Sequence, residues 1–154
     1  MRGKAVSKRV ISPDPKFQRV DIAKLINKIM RRGKKTIAQK IVYSAFDYIS
    51  DKTKLDPIEI YDTAMRNVAP NLEVKGKRIG GANYQVPMVV TGDRKMVLTH
   101  RWIIMAASHR KGMAMHKALG EELIAASKNE GEAIKKREDV QRMAEANRAF
   151  AHFA

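Results

Sequence analysis

The residues with the most to do chemically in this sequence are cations set apart from acids. Lys24, Lys28, Arg31, Arg32, Lys34 and Lys35 fall between Asp21 and Asp47 with no acid among them. Lys75, Lys77 and Arg78 fall in a second acid-free stretch, between Glu73 and Asp93. Ammonium and guanidinium groups gathered in this way neutralise phosphates and release counterions. A merely solvated lysine face is the alternative, and the missing acids weigh against it. Over the 154 residues, 31 Lys and Arg stand against 16 Asp and Glu, a formal charge of +15. Such an excess repels itself without a polyanion, so nucleic acid is the leading partner and an acidic membrane surface the second.

Catalytic chemistry has little to stand on. His100, His109, His116 and His152 offer no His-x-x-x-His pair and no carboxylates at ligand spacing, so each reads as a surface or hydrogen-bonded histidine. Glu121-Glu122 and Glu138-Asp139 are adjacent, and adjacent side chains on a helix diverge. No glycine-rich loop precedes a Lys-Ser or Lys-Thr pair. Zero cysteines exclude disulfides and thiolate metal sites. The chain reads as a non-enzyme, with no cofactor, metal or small-molecule substrate. No apolar run approaches the roughly 20 residues that span a bilayer. The N-terminus has no signal-peptide core, so an intracellular setting without membrane is expected.

The elements that must position these cations are mostly helices in one domain, 1–154, large enough for a real core. Residues 1–19 form a basic arm, with Arg2, Lys4, Lys8, Arg9, Lys16 and Arg19 against the single acid Asp14. Ser12-Pro13-Asp14-Pro15 blocks regular structure there. Ile22, Leu25, Ile26, Ile29 and Met30 mark a first helix, with Asp21 as N-cap and Gly33 as stop. Thr36 is placed as the cap of a second, with Ile37, Ile41, Val42, Ala45, Phe46 and Ile49 inward. Asp56-Pro57 with Glu59 opens a third, which buries Ile58, Tyr61, Ala64, Met65 and Val68 and ends at Pro70.

Residues 72–90 break this pattern. Leu72, Val74 and Ile79 precede Gly80-Gly81, and Tyr84, Val86, Met88 and Val90 alternate after it, which predicts a basic β-hairpin. A solvated connector is the competing reading. Beyond it, Asp93 is placed as the cap of a fourth helix carrying Val97, Leu98, Trp102, Met105 and Ala106 inward, the lone tryptophan as core rather than stacking platform. Arg110-Lys111-Gly112 closes that helix. Met113, Met115, Leu119, Leu123 and Ala126 mark a fifth, and Ile134, Val140, Met143, Ala144 and Phe150 a sixth. The sixth opens on Lys135-Lys136-Arg137, against the preference of the helix dipole, which points to a functional use.

Among nucleic-acid binders, zinc fingers lack their cysteines here, and the few aromatics sit at core spacings rather than as a stacking row. Several basic patches on an irregular helical body suit a folded RNA, and one concave basic surface is expected from them. A DNA-binding architectural protein stays as a rival.

Gly33-Lys34-Lys35, the run from Gly80 to Pro87, Arg101-Trp102, the run from Ala133 to Val140, and Met143 to His152 together resemble the bacterial-type small-subunit ribosomal protein seven family. The resemblance implies a mainly α fold, a six-helix bundle with an extended hairpin between the third and fourth helices. It also implies a structural constituent of the small ribosomal subunit. By the resemblance, a primary 16S ribosomal RNA binder is expected, one that nucleates head assembly, lies near the exit-site tRNA and neighbours head and platform proteins; bacterial members can also repress translation of their own operon's message. The matching rRNA positions are Arg2, Lys4, Lys8 and Arg9 in the arm, Lys34 and Lys35 in the turn, Lys75, Lys77 and Arg78 on the hairpin, and Arg110, Lys111 and Met115 after the fourth helix. Lys28, Arg31, Arg32 and Arg94 are expected to bind rRNA beside these matching positions. Arg78, Gly80, Gly81, Asn83, Lys135, Lys136 and Arg137 are expected near tRNA. The expected location is the cytoplasm, on ribosomes, an organellar ribosome being the other setting.

Overall fold

A computed structural model of the protein describes residue 3 and residues 9–153. Arg2, Lys4 and Lys8 of the expected arm lie outside the described residues. Six α-helices among the described residues follow in order: α1 (Val20–Ile29), α2 (Lys35–Thr53), α3 (Pro57–Val68), α4 (Gly92–His109), α5 (Met115–Ser127) and α6 (Glu132–Ala146). Between α3 and α4 the chain makes an antiparallel pair, β1 (Leu72–Ile79) and β2 (Ala82–Val89), and a 3-10 turn follows α6 at Arg148–Phe153. The expected mainly helical bundle with an inserted hairpin is the observed architecture.

The core forms where apolar stripes converge. α5 packs against α2, α3, α4 and α6, and its Ala118, Leu119, Leu123 and Ala126 are buried. From α1 come Ile22, Leu25, Ile26 and Ile29, and from α4 come Leu98, Ile103, Ala106 and Ala107. Trp102 joins them at 6% exposure, a core residue as expected. Asp56 caps α3 by accepting the Ile58 N–H at 3.0 Å, with Pro57 in the first turn.

Three expected caps are corrected. Asp21 lies inside the first turn of α1, whose N-cap is Arg19, because its carboxylate is drawn to the Arg19 guanidinium. α2 starts one residue before Thr36, from Lys34, with no side-chain cap. Asp93 lies inside α4, whose N-cap is Thr91, and reaches Lys24 of α1 at 3.0 Å. The buried stripe of α2 runs through Ala38, Val42, Ala45, Phe46 and Ile49, so Ile37, about 100° away from Ala38 around the helix, is exposed. Met105, Met113 and Met143 also lie outside the core, and Phe150 sits in the 3-10 turn rather than in α6. α1 stops at Ile29 with Met30 as C-cap, ahead of the expected Gly33.

Beyond Asp14 the arm is docked. Asp14 is buried, and its carboxylate accepts the backbone N–H groups of Lys16 and Phe17 and the Tyr43 hydroxyl, the last at 2.7 Å. Phe17 then packs edge-on against Tyr43 and Phe46. Arg19 pairs with both Asp21 and Asp62 at 2.6 Å, so this cation of the arm belongs to the fold.

The hairpin register pairs Leu72 with Val89 and Ile79 with Ala82, leaving a two-residue turn at Gly80-Gly81. Their φ values of 57° and 89° are the left-handed backbone that such a turn requires and that glycine adopts without strain. At its base Glu73, Val86 and Val90 are buried against the body.

Candidate nucleic-acid interface

The cations divide by what holds them. Chain reversal between α1 and α2 puts Arg31, Arg32, Lys34 and Lys35 outside, all exposed and with no ion-pair partner among the described residues. The reversal is tight, with φ of 53° at Arg32 and 73° at Gly33. Lys28 extends this charge along α1 and Lys111 adds to it after α4, both without an ion-pair partner among the described residues. Arg9 is exposed as well, with no ion-pair partner among the described residues. Cations without a local acid can give their full charge to a phosphate.

Beside this turn the body opens a groove of about 420 Å³. Arg31, Lys34 and Arg110 lie at its rim, and Ile29, Ile37, Ile104 and Met115 line it. The structure thus brings the α1–α2 turn and the α4–α5 turn to one groove. Sequence periodicity missed Ile37 as a groove residue. The available sign was its place one position off the stripe of α2.

Arg110 is the rim cation with a partner. It donates from Nε and Nη2 to one oxygen of Glu122, at 3.1 and 2.7 Å, and Glu122 is fully buried. The other Glu122 oxygen accepts the Ala133 N–H at 2.9 Å at the start of α6. Gly131 crosses so close that a Cβ there would lie 2.8 Å from that oxygen, at a φ of 96°. Glu121 diverges from Glu122, as expected, and takes Tyr48 and Lys52 of α2.

The second basic region lies at the far end of α4. Arg94 donates to Glu73 at 3.0 and 2.8 Å, and Lys75 reaches the other Glu73 oxygen at 2.9 Å. Burial pushes the Glu73 carboxyl up, but the bonds from Arg94 and Lys75 outweigh it and hold the group below its ordinary range. Lys77 donates to the Phe153 carbonyl at 2.6 Å. Arg78, Gly80, Gly81 and Asn83 are exposed at the tip, and Arg78 has no ion-pair partner among the described residues. From Arg94 to Arg110 the helix rises about 24 Å. The expected cations therefore form two regions joined by α4.

The α6 cations are partly absorbed into the fold. Lys135 pairs with Glu132 at 2.7 Å. Arg137 donates to the Asn67 carbonyl in the last turn of α3, where a helix end presents unsatisfied carbonyls, and also to Asn129 and Glu138. That contact gives a structural reason for a cation near the start of α6. Lys136 is exposed and unpaired among the described residues.

The remaining buried polar groups among the described residues are engaged within the fold. His100 is buried within hydrogen-bonding distance, 2.9 Å, of the Tyr61 hydroxyl, and burial pushes it down to about 4. No group of three metal-ligating side chains occurs among the described residues. No helix among the described residues is long and apolar enough to cross a membrane.

A family model described as ribosomal protein S7p/S5e matches residues 1–148. The chain belongs to the ribosomal protein S7p/S5e family. Membership makes it a structural constituent of the small ribosomal subunit and not an enzyme. It is 58% identical over 153 residues to the small ribosomal subunit protein uS7 of Thermotoga maritima, covering 99% of each chain. Identity to the protein of the same name from Roseiflexus castenholzii is 51% over 148 residues, covering 96% of this chain and 94% of the relative. For that of Teredinibacter turnerae it is 49% over 152 residues, covering 99% and 97%. The S7p/S5e assignment spans both basic regions described above, so each belongs to the family domain.

Proposed function

We propose that the chain is a primary binder of 16S rRNA that nucleates assembly of the head of the small subunit. The observation that carries this reading is the set of unpaired cations, Arg31, Arg32, Lys34, Lys35 and Lys111, beside the groove between α1–α2 and α4–α5. Phosphates bound there would displace water and counterions rather than break ion pairs. Met115 and the other apolar lining residues would exclude water from the contact. Specificity would come from the shape of an RNA junction more than from base edges. Arg9, with Arg2, Lys4 and Lys8, would extend the same contact along the RNA.

The hairpin tip, with Arg78, Gly80, Gly81 and Asn83, and the α6 cations Lys135, Lys136 and Arg137 would face the exit-site tRNA. Neighbouring head and platform proteins would complete the surroundings, on ribosomes in the cytoplasm. Repression of its own operon's message would use the same surface on an RNA of similar shape. The test is a filter-binding titration against a transcript of the 16S 3′ domain, at two salt concentrations, with excess tRNA and duplex DNA as competitors. Tight binding that survives both competitors is expected. Equal competition by all polyanions would overturn the reading, and preference for duplex DNA would favour an architectural DNA binder.

A further inference from the structure

The outer half of the hairpin has little of the body beneath it. Val86 and Pro87 are buried near its base, whereas residues 80–83 and Gly76, Arg78 and Gln85 are exposed. A two-stranded ribbon alone is marginal in water. The 3-10 turn after α6 supplies the missing support. The Tyr84 ring lies 5.1 Å from that of Phe150 and 5.5 Å from that of Phe153, and the two phenylalanine rings stack at 6.4 Å. Lys77, the cross-strand partner of Tyr84, donates to the Phe153 carbonyl at 2.6 Å. One turn therefore holds both members of a single cross-strand pair, and Tyr84, Phe150 and Phe153 stand apart from the main hydrophobic core.

We propose that Phe150 and Phe153 are positioning residues, which clamp the outer hairpin through Tyr84 and Lys77 so that Arg78 and the Gly80-Gly81 tip meet RNA as a stiff ribbon. This inference rests on the reading of the hairpin as an RNA contact. A clamp lowers the ordering cost of binding and adds no phosphate contact. Its loss should weaken affinity while leaving the salt dependence unchanged. Loss of a contacting cation should instead reduce the salt slope by about 0.7 to 0.9.

The test uses the full chain in three forms beside the wild type: Phe150→Ala with Phe153→Ala, Phe150→Tyr with Phe153→Tyr, and Arg78→Ala. Amide exchange is followed along the hairpin, and binding is measured to a transcript of the 16S 3′ domain at two salt concentrations. The alanine pair should speed exchange in residues 77–79 and 82–84 by about tenfold, and leave the amides beside Leu72 and Val89 unchanged. It should also weaken binding by about tenfold with the wild-type salt slope, and the tyrosine pair should restore both. Unchanged exchange in the outer hairpin would overturn the clamp. Faster exchange with unchanged affinity would overturn its role in binding, and Arg78→Ala then locates the fault. Weaker binding by Arg78→Ala leaves the hairpin in the interface with an idle clamp, whereas wild-type binding removes the hairpin itself.

Discussion

The two ends of α4 are built alike and held differently. Each carries an arginine, Arg94 or Arg110, that gives two N–H bonds to one oxygen of a buried glutamate. At the hairpin end, the second oxygen of Glu73 meets Lys75, and both cationic partners of Glu73 are about half exposed. At the groove end, Glu122 has no exposure and its second oxygen receives a backbone N–H from α6. The same motif is thus an electrostatic contact facing water in one place and a joint between helices in the other. An acid in contact with solvent can rehydrate when its partner leaves, and a fully buried one cannot.

The largest expected effect separates the two ends directly. Glu122→Ala leaves the Ala133 N–H without its acceptor and empties a fully enclosed site, while Arg110, a third exposed, turns to water, so it should cost about 2 to 4 kcal/mol of unfolding free energy. Glu73→Ala should cost about 1 kcal/mol, because Arg94 and Lys75 turn to water. Urea denaturation of both variants measures the contrast. Equal losses would mean that burial of the acid is not what distinguishes the ends.

The middle of α4 sharpens the contrast with a neutral group. His100 is buried and pushed down to about 4 by loss of solvent, whereas in the unfolded chain it takes a proton near 6.5. Its folded value is depressed, so its contribution is intact above pH 6.5 and is lost as pH falls toward 4, where the unfolded chain binds the extra proton. The span amounts to about 3 kcal/mol. His100→Gln keeps a polar side chain beside the Tyr61 hydroxyl and removes the titration. Thermal unfolding from pH 7 to 4 should show the wild type losing stability relative to this variant, and parallel curves would place the proton elsewhere.

Much of this arrangement was legible in the sequence. The stripe of α1, the Asp56-Pro57 start of α3, the Gly80-Gly81 turn and the buried Trp102 follow from local period and turn chemistry. The unpaired cations of the α1–α2 turn were legible because no acid lies near them in the chain. What sequence could not show is pairing across distance. Nothing local to Glu122 on α5 shows that Arg110 and Ala133, 12 and 11 residues away, close around it. Asp14 looks like an interruption in a basic arm, yet it is the anchor that Tyr43 holds from 29 residues away. Asp21 and Asp93 lie inside their helices and not at the caps, paired with Arg19, which also holds Asp62, and with Lys24 of another helix.

Function should follow the division between paired and unpaired cations. Lys34→Ala with Lys35→Ala removes two charges that no acid among the described residues engages. Binding to the 16S 3′ domain should weaken roughly tenfold at moderate salt, and the salt slope should fall by about 1.5, without loss of helicity. Arg94→Ala removes a charge already matched by Glu73 and should change the slope by less than half as much. Filter binding at a series of salt concentrations compares them. If Arg94→Ala proves as damaging as the double variant, ion pairing within the protein does not withhold a cation from RNA.

The smallest effect concerns the hairpin as a unit of its own. Gly81 has a φ of 89°, and an alanine there meets no neighbouring atom, so its cost is backbone strain alone. That strain, about 1 kcal/mol, falls on a turn far from the helical core. Local opening of the hairpin should therefore become easier while the bundle unfolds at nearly the same denaturant concentration. Amide exchange should quicken between Lys77 and Tyr84, and the buried amides of α5 should keep their protection. If α5 loosened in step with the hairpin, the ribbon and the bundle would open as one cooperative body. Glu73 and Arg94 would then be as much a structural joint as Glu122 and Arg110.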